Sequence, residues 1–248
     1  MKLNDFFAEH PKVAVAFSGG VDSAYLLYAA KQCGAQVRAY FVKSAFQPQF
    51  ELEDALRLAN ALGVPMQLLC PDVLADERVA SNPADRCYYC KRTIFTAIKA
   101  QAEADGFSVL LDGTNASDDA GDRPGMKALR ELSVLSPLRL CGLTKADVRR
   151  LSREAGLFTW DKPAYACLAT RIPTGEVITE EKLAATERAE NCLFSIGLRD
   201  FRVRRMAGAA RIQLPADQIE TLLRHRQDVL AALKRDYAGV LLDLEVRE

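Results

Sequence analysis

Near the amino terminus a β-rich apolar run, Val13 to Phe17, passes through Ser18-Gly19-Gly20 directly into the helix-patterned segment Asp22 to Ala30. A strand that turns so tightly into a helix starts a parallel crossover unit, because the helix must carry the chain back before a parallel neighbour can form. The pattern then repeats. Strands are expected at 37–42, 66–69 and 109–111, and helices at 51–62, 88–104 and 144–155, the last with Thr144 as N-cap and Gly156 near its end. Such alternation predicts an α/β fold: a doubly wound parallel sheet with helices on both faces and ligands at the carboxyl ends of its strands.

The order changes after Pro173. A helix at 179–196, strands at 201–205 and 210–214, a helix at 217–234 and a strand at 240–246 form an α-β-β-α-β unit. Residues 1–172 and 173–248 are therefore the expected domains, with Pro173 and Gly175 punctuating the boundary. At roughly 150 residues per domain, a length of 248 residues suits one large domain and a small one.

Lys+Arg and Asp+Glu both count 33, so the formal net charge is zero. That balance argues against a protein that coats nucleic acid or binds an anionic membrane surface. No apolar run approaches the roughly 18 residues of a membrane helix, and MKLNDFFAEHPK lacks the apolar core of a signal peptide. A cytoplasmic location is expected. There, seven cysteines, an odd number, are thiols, metal ligands or redox groups rather than a disulfide framework.

The most specific feature is Ser18-Gly19-Gly20-Val21-Asp22-Ser23. Two glycines let the backbone approach a polyphosphate and turn N–H groups toward its oxygens. Ser18 and Ser23 add hydroxyls, and the following helix start favours negative charge. Asp22 would be repelled by bare phosphate and reads as a Mg²⁺ ligand, through water. G-x-x-x-x-G-K-[ST] is absent from the sequence, so this is not the loop of a γ-phosphate hydrolase. An ordinary Gly-Gly turn with a capped helix would use the same residues. The segment resembles the signature of the ATP pyrophosphatase (PP-loop) family, over about residues 12 to 170. The resemblance implies binding of the ATP pyrophosphate here and transfer of AMP to a carbonyl or carboxylate oxygen. Asp112-Gly113-Thr114-Asn115 is similar to the family's later strand-end loop, which implies that the backbone at Gly113 sits near nucleotide and substrate.

Cys87-Tyr88-Tyr89-Cys90-Lys91 is a CxxC at a helix start. A half-used zinc knob or an incidental pair would look the same. A structural zinc needs four ligands, and the two histidines, His10 and His225, lack metal-ligand spacing. Cys167 lies in the Pro-containing loop 160–171, which a doubly wound sheet can return to the mouth where the CxxC sits. Three thiolates, Cys87, Cys90 and Cys167, with no fourth ligand suit a [4Fe–4S] cluster with one open iron that could bind sulfide. Cys33, Cys70, Cys141 and Cys192 read as packing.

Between 199 and 211 the chain carries Arg199, Arg202, Arg204, Arg205 and Arg211 against only Asp200. On a strand Arg202 and Arg204 share a face, and two guanidinium forks, helped by Arg211, suit a phosphomonoester such as a mononucleotide. A solvated edge strand guarded by charge is the competing reading.

Together the SGGVDS loop, CYYCK, Gly121–Lys127 (GDRPGMK) and ACLATRIPTG resemble one PP-loop branch. This branch comprises the ATP-dependent sulfur transferases that mature the nickel-pincer nucleotide cofactor of lactate racemase. The resemblance implies that a pyridinium biscarboxylate mononucleotide is adenylylated and its carboxylate becomes a thiocarboxylate. It implies substrate- or metal-site roles for Glu190, Arg202 and Arg204, with Arg171 beside them, and a homo-oligomer. Some members sacrifice a loop cysteine, leaving dehydroalanine; others carry three cysteines and a cluster. Cys167 falls one position later than the sacrificial cysteine, counting from Lys162 and Arg171, which favours the cluster route supplied by sulfide or another sulfur donor. Gln213 stands where an acidic residue is expected. A tRNA thiolase of the same superfamily and a non-catalytic adenine-nucleotide sensor with a structural metal are the rival functions.

Overall fold

The computed structural model describes residues 2–118 and 124–247, so Gly121, Asp122 and Arg123 of the GDRPGMK segment lie outside the described residues. In chain order, α1 (Leu3–Glu9) and β1 (Lys12–Ala16) are followed by α2 (Val21–Gln32), β2 (Gln36–Val42), α3 (Gln49–Leu62) and β3 (Met66–Leu69). Next come α4 (Glu77–Ala80), α5 (Arg86–Ala104), β4 (Leu110–Leu111), α6 (Pro124–Glu131), α7 (Pro137–Leu140) and α8 (Lys145–Glu154). A 3-10 turn at Leu168–Arg171 precedes α9 (Glu180–Ser195), β5 (Arg202–Met206) and β6 (Ala209–Gln213). A second 3-10 turn at Ala216–Gln218 leads to α10 (Ile219–Arg224), α11 (Arg226–Leu233) and β7 (Val240–Leu242). Two compact units result: Met1–Val73 with Asp85–Lys162, and Leu74–Ala84 with Pro163–Glu248. Among the described residues, no helix is long and apolar enough to cross a membrane.

The first unit holds the expected parallel sheet, in the order β3-β2-β1-β4. Val13 to Val15 of β1, Ala39 to Val42 of β2 and both residues of β4 are apolar and buried, because both faces are covered there, whereas the edge strand β3 is partly exposed. Val13, Val15, Phe17, Ala39 and Phe41 pack with Leu26, Leu27 and Ala30 of α2 and Leu58 of α3. Alternate residues Ala14, Tyr40 and Val42 pack on the other face with Phe95 and Ile98 of α5 and Leu129 of α6. The chain leaves β1 toward β2 and later returns on its other side as β4. The strand order thus reverses between β1 and β4, the place where open α/β sheets bind ligands.

In the second unit β5 and β6 form an antiparallel hairpin, and β7 lies parallel to β6. The hairpin turn is Ala207-Gly208, both at positive φ (47° and 80°), as a two-residue turn between twisted strands requires. Ala189 and Leu193 of α9, Leu222 of α10, and Val229 and Leu233 of α11 cover this sheet. Leu74–Ala84 belongs here through its backbone: the N–H groups of Gly175 and Ile178 donate to the carbonyls of Asn82 and Ala80, each at 2.8 Å.

Several elements depart from the sequence expectation. The strand expected at 240–246 stops at Leu242, because Asp243 turns its carboxylate onto the Glu245 N–H at 3.1 Å and ends the ladder. The helix expected at 217–234 is a 3-10 turn and two helices meeting at His225. Leu222 and Leu233 are buried on either side of the break, so the apolar period runs on across it. Helix α1 is seven residues long, too short to show a period, although Phe6 and Phe7 are buried.

Candidate active site

The Ser18–Ser23 loop leaves the carboxyl end of β1 and closes on itself. The Ser18 N–H donates to Ser23 Oγ at 3.2 Å, the two hydroxyls lie 3.1 Å apart, and Ser23 Oγ donates to the Gly20 carbonyl at 3.2 Å. Gly19 is required twice over: its φ is +71°, and a Cβ there would lie 3.2 Å from the Glu51 carbonyl of α3. Gly20 caps α2 without any side-chain bond to the first turn. N–H groups at this helix start are therefore left to water or an anion, with the dipole favouring negative charge.

Asp22 stands half-buried in the first turn of α2. Lys145 Nζ pairs with its Oδ2, and Asn115 Nδ2 donates to its Oδ1 at 3.2 Å. Gly113 lies against the same turn; a Cβ would fall 2.8 Å from Ser23 N and 3.2 Å from the Asp22 carbonyl carbon. Only glycine fits, because the obstruction is backbone. Asp112, at the end of β4, accepts from Thr114 Oγ1 and from Ser136 Oγ at 2.6 Å, which fixes this second loop. On the other side Lys162 Nζ, its side chain 15% exposed, bonds the Gly19 carbonyl at 3.3 Å and Asp54 Oδ2 at 2.7 Å. With that carbonyl held by Lys162, the Gly20 N–H points away from it, toward Ser18 Oγ at 3.4 Å. This contact is long enough for a phosphate oxygen to replace it. A lone carboxylate beside anion-binding N–H groups is the donor set Mg²⁺ takes when phosphates and waters complete its octahedron.

Sequence reasoning missed Lys145 and Lys162. Lys145 left one clue: it is the first residue of α8, where a cation opposes the helix dipole. Lys162 left none.

Cys87 and Cys90 are the second and fifth residues of α5, three apart and hence on one helical face; Cys87 is exposed and Cys90 half-buried. Cys167 belongs to the second unit, where it caps the 3-10 turn at Leu168–Arg171. Among the described residues no three His, Cys, Asp or Glu side chains are grouped to hold a metal ion. Burial raises the thiols of Cys33, Cys141 and Cys192, as befits packing groups. Cys70 is exposed rather than packed.

The Cys167 loop is held by guanidinium groups of its own unit. Arg171 Nη1 donates to the Ala166 carbonyl at 3.0 Å and to Thr170 Oγ1 at 2.7 Å. Arg202 Nη2 bonds the Ala164 carbonyl, and Arg204 Nη1 the Thr170 carbonyl at 3.0 Å. Arg202 and Arg204 thus reach the same segment from one face of β5. Burial, with Arg171 and Arg247 close by, pushes Arg202 down to about 10. Burial and the neighbouring arginines also pull Arg204 down. For Arg171 burial works against charge, but Glu190 outweighs it and holds the guanidinium up.

Glu190 is 1% exposed and fully engaged. Arg171 Nε and the Val203 N–H donate to its Oε1 at 2.8 and 3.0 Å, and the Tyr165 hydroxyl and Arg171 Nη2 take Oε2. Beside this core lies a cavity of about 420 Å³ whose charged lining is Arg171, Arg204, Arg205 and Arg211. Arg204 and Arg211 are directly opposed in the hairpin register. Arg211 Nε is buried without a hydrogen-bond acceptor, its nearest carboxylate being Asp243 at 3.5 Å. Arg202 lines no part of this cavity.

Residues 11–70 match the family model described as tRNA methyl transferase HUP domain. An uncharacterized protein of Synechocystis sp. is 38% identical, covering 98% of this chain and 92% of its own. The pyridinium-3,5-bisthiocarboxylic acid mononucleotide synthase of Lactiplantibacillus plantarum is 35% identical, covering 94% of this chain and 86% of its own. A tRNA-specific 2-thiouridylase of Thermotoga sp. is 26% identical over 59% of this chain and 52% of its own length. The parallel sheet, the Ser18–Ser23 loop at its strand-order reversal and identity of this order over nearly the whole chain agree: the chain belongs to the pyridinium-3,5-bisthiocarboxylic acid mononucleotide synthase family of the PP-loop superfamily.

Proposed function

We propose that this protein is an ATP-dependent sulfurtransferase acting on a pyridinium biscarboxylate mononucleotide. A substrate carboxylate oxygen attacks the α-phosphorus of ATP, and the α–β anhydride bond breaks with its electron pair on the departing pyrophosphate. A sulfur nucleophile then attacks the activated carbonyl carbon, and AMP leaves. The observation that carries this reading is the Ser18–Ser23 loop, with Asp22 at its mouth, in a chain 35% identical over nearly its whole length to the named synthase. The protein's own part is alignment and charge neutralisation. Gly20 and the first turn of α2 offer N–H groups to the polyphosphate, and Lys162 fixes the peptide that aims one of them. Bound at Asp22, Mg²⁺ would supply further neutralisation of the phosphates.

The mononucleotide phosphate is assigned to the arginine cavity. Arg204 and Arg211 face it from opposite strands, and an anion would give the buried Arg211 Nε the acceptor it lacks. Replacing Arg204 or Arg211 by alanine is expected to weaken mononucleotide binding by about 2–4 kcal/mol, the cost of removing one partner from a desolvated charge pair. ATP affinity should stay put. Calorimetric titration of each ligand separates these outcomes, and unchanged mononucleotide affinity in an Arg204→Ala/Arg211→Ala double variant refutes the assignment.

Cys87, Cys90 and Cys167 are assigned together as ligands of a [4Fe–4S] cluster whose open iron would present sulfide. The shared helical face of Cys87 and Cys90 supports it. Serine at any one of the three, in anaerobically prepared protein, should reduce bound iron and abolish repeated turnover with added sulfide. Full iron and full activity in any single variant would remove that cysteine from the set. Conversion of Cys167 to dehydroalanine after one sulfur transfer would establish the sacrificial route instead.

A further inference from the structure

Lys145 opens α8, whose first turn is closed by the reciprocal Thr144–Asp147 capping box. A cation at that position opposes the helix dipole, so local helix energetics do not account for it. What engages it is a distant carboxylate. Its Nζ pairs with Asp22 Oδ2 while Asn115 takes Oδ1, so both oxygens at the mouth of the phosphate loop are occupied by protein donors. The backbone beneath Lys145 is anchored, its N–H donating to Ser117 Oγ at 3.0 Å and Ala116 N–H to the Leu143 carbonyl at 2.7 Å. The side chain, by contrast, is 34% exposed, on a stem of four carbons with rotatable bonds.

The Ser18–Ser23 loop carries no cation of its own. Pyrophosphate gains negative charge as it departs, and that charge is best met by a group already positioned in the site. An ammonium and a divalent cation at the same Asp22 oxygen repel each other, so Lys145 on Oδ2 weakens cation binding there. We propose that Lys145 is a mobile counter-charge: it neutralises Asp22 in the ligand-free protein, passes to the polyphosphate once Asp22 is engaged by the divalent cation, and stabilises the leaving pyrophosphate. The ammonium keeps its proton throughout; the α–β anhydride bond breaks as the carboxylate–phosphorus bond forms. This inference rests on the ATP-activating reading above.

Competition gives it a signature that a structural role would not produce. Lys145→Met, which keeps the stem and removes the charge, is expected to bind Mn²⁺ in nucleotide-free protein about tenfold more tightly, roughly a 1.4 kcal/mol relief. Its rate of pyrophosphate release at saturating ATP should nevertheless fall about a hundredfold, with Lys145→Arg recovering part of it. Mn²⁺ binding is read by electron paramagnetic resonance and release by product analysis; Lys145→Gln serves the same test should the methionine variant not fold. Mn²⁺ binding no tighter than in the unaltered protein overturns the competition, and an undiminished rate overturns the leaving-group role. Failure of the unaltered protein to release pyrophosphate would instead refute the ATP-activating reading, while the Mn²⁺ measurement would still judge the competition for Asp22.

Discussion

Asp22→Ala is expected to lower ATP-dependent pyrophosphate release by at least about two orders of magnitude, because it removes the loop carboxylate proposed to engage the divalent cation. The fold should barely notice. Asp22 and Lys145 are partly exposed, and a pair of that kind contributes at most about 1 kcal/mol to stability. Activity and stability therefore separate in this variant, which a general packing defect would not allow. Release of ADP and phosphate by the unaltered protein, or near-normal pyrophosphate release by Asp22→Ala, would remove the loop from the chemistry.

Glu190 should behave in the opposite way, through stability first. Its carboxylate holds the buried Arg171, the Tyr165 hydroxyl and the Val203 N–H at once. Glu190→Ala leaves a guanidinium with no side-chain exposure and no counter-charge, a defect that costs about 3–5 kcal/mol. The loop bearing Cys167 should loosen with it, since Arg171 is the residue that bonds the Ala166 carbonyl. Hydrogen exchange across α9 and β5 measures the loss. Arg171→Met/Glu190→Leu should recover the part that comes from the uncompensated charge, but not the bonds to the Tyr165 hydroxyl, the Val203 N–H and the Ala166 carbonyl. Exchange unchanged by Glu190→Ala would mean that the pair is not holding this unit together.

Much of this was legible in the chain, for reasons that differ from element to element. The parallel sheet follows from apolar strands alternating with helices whose ends are signalled locally: Gly63 does terminate α3, in the left-handed conformation, and Thr144 does cap α8. The placement of Leu74–Ala84 was not legible, because its ties are backbone hydrogen bonds and the Asn82 amide on the Ile172 and Pro173 carbonyls, some 90 positions away. The same holds within the site. SGGVDS announces itself because its residues are contiguous, whereas Lys145 and Lys162 reach the loop from 123 and 143 positions away. Pairing of Arg204 with Arg211 required the hairpin register, which a single turn at Ala207-Gly208 sets. Glu190 could be suspected of a role, but its engagement by Arg171 depends on a loop and a helix meeting.

Sulfur transfer to an adenylylated carboxylate is the central claim, and the mass of the mononucleotide tests it most directly. Protein incubated anaerobically with Mg·ATP, the pyridinium biscarboxylate mononucleotide and sulfide should convert the mononucleotide to a species heavier by the exchange of one oxygen for one sulfur. AMP and pyrophosphate should form in equal amounts, and nothing should happen without ATP. A mononucleotide of unchanged mass, recovered while ATP is split to AMP and pyrophosphate or not consumed at all, would contradict the account.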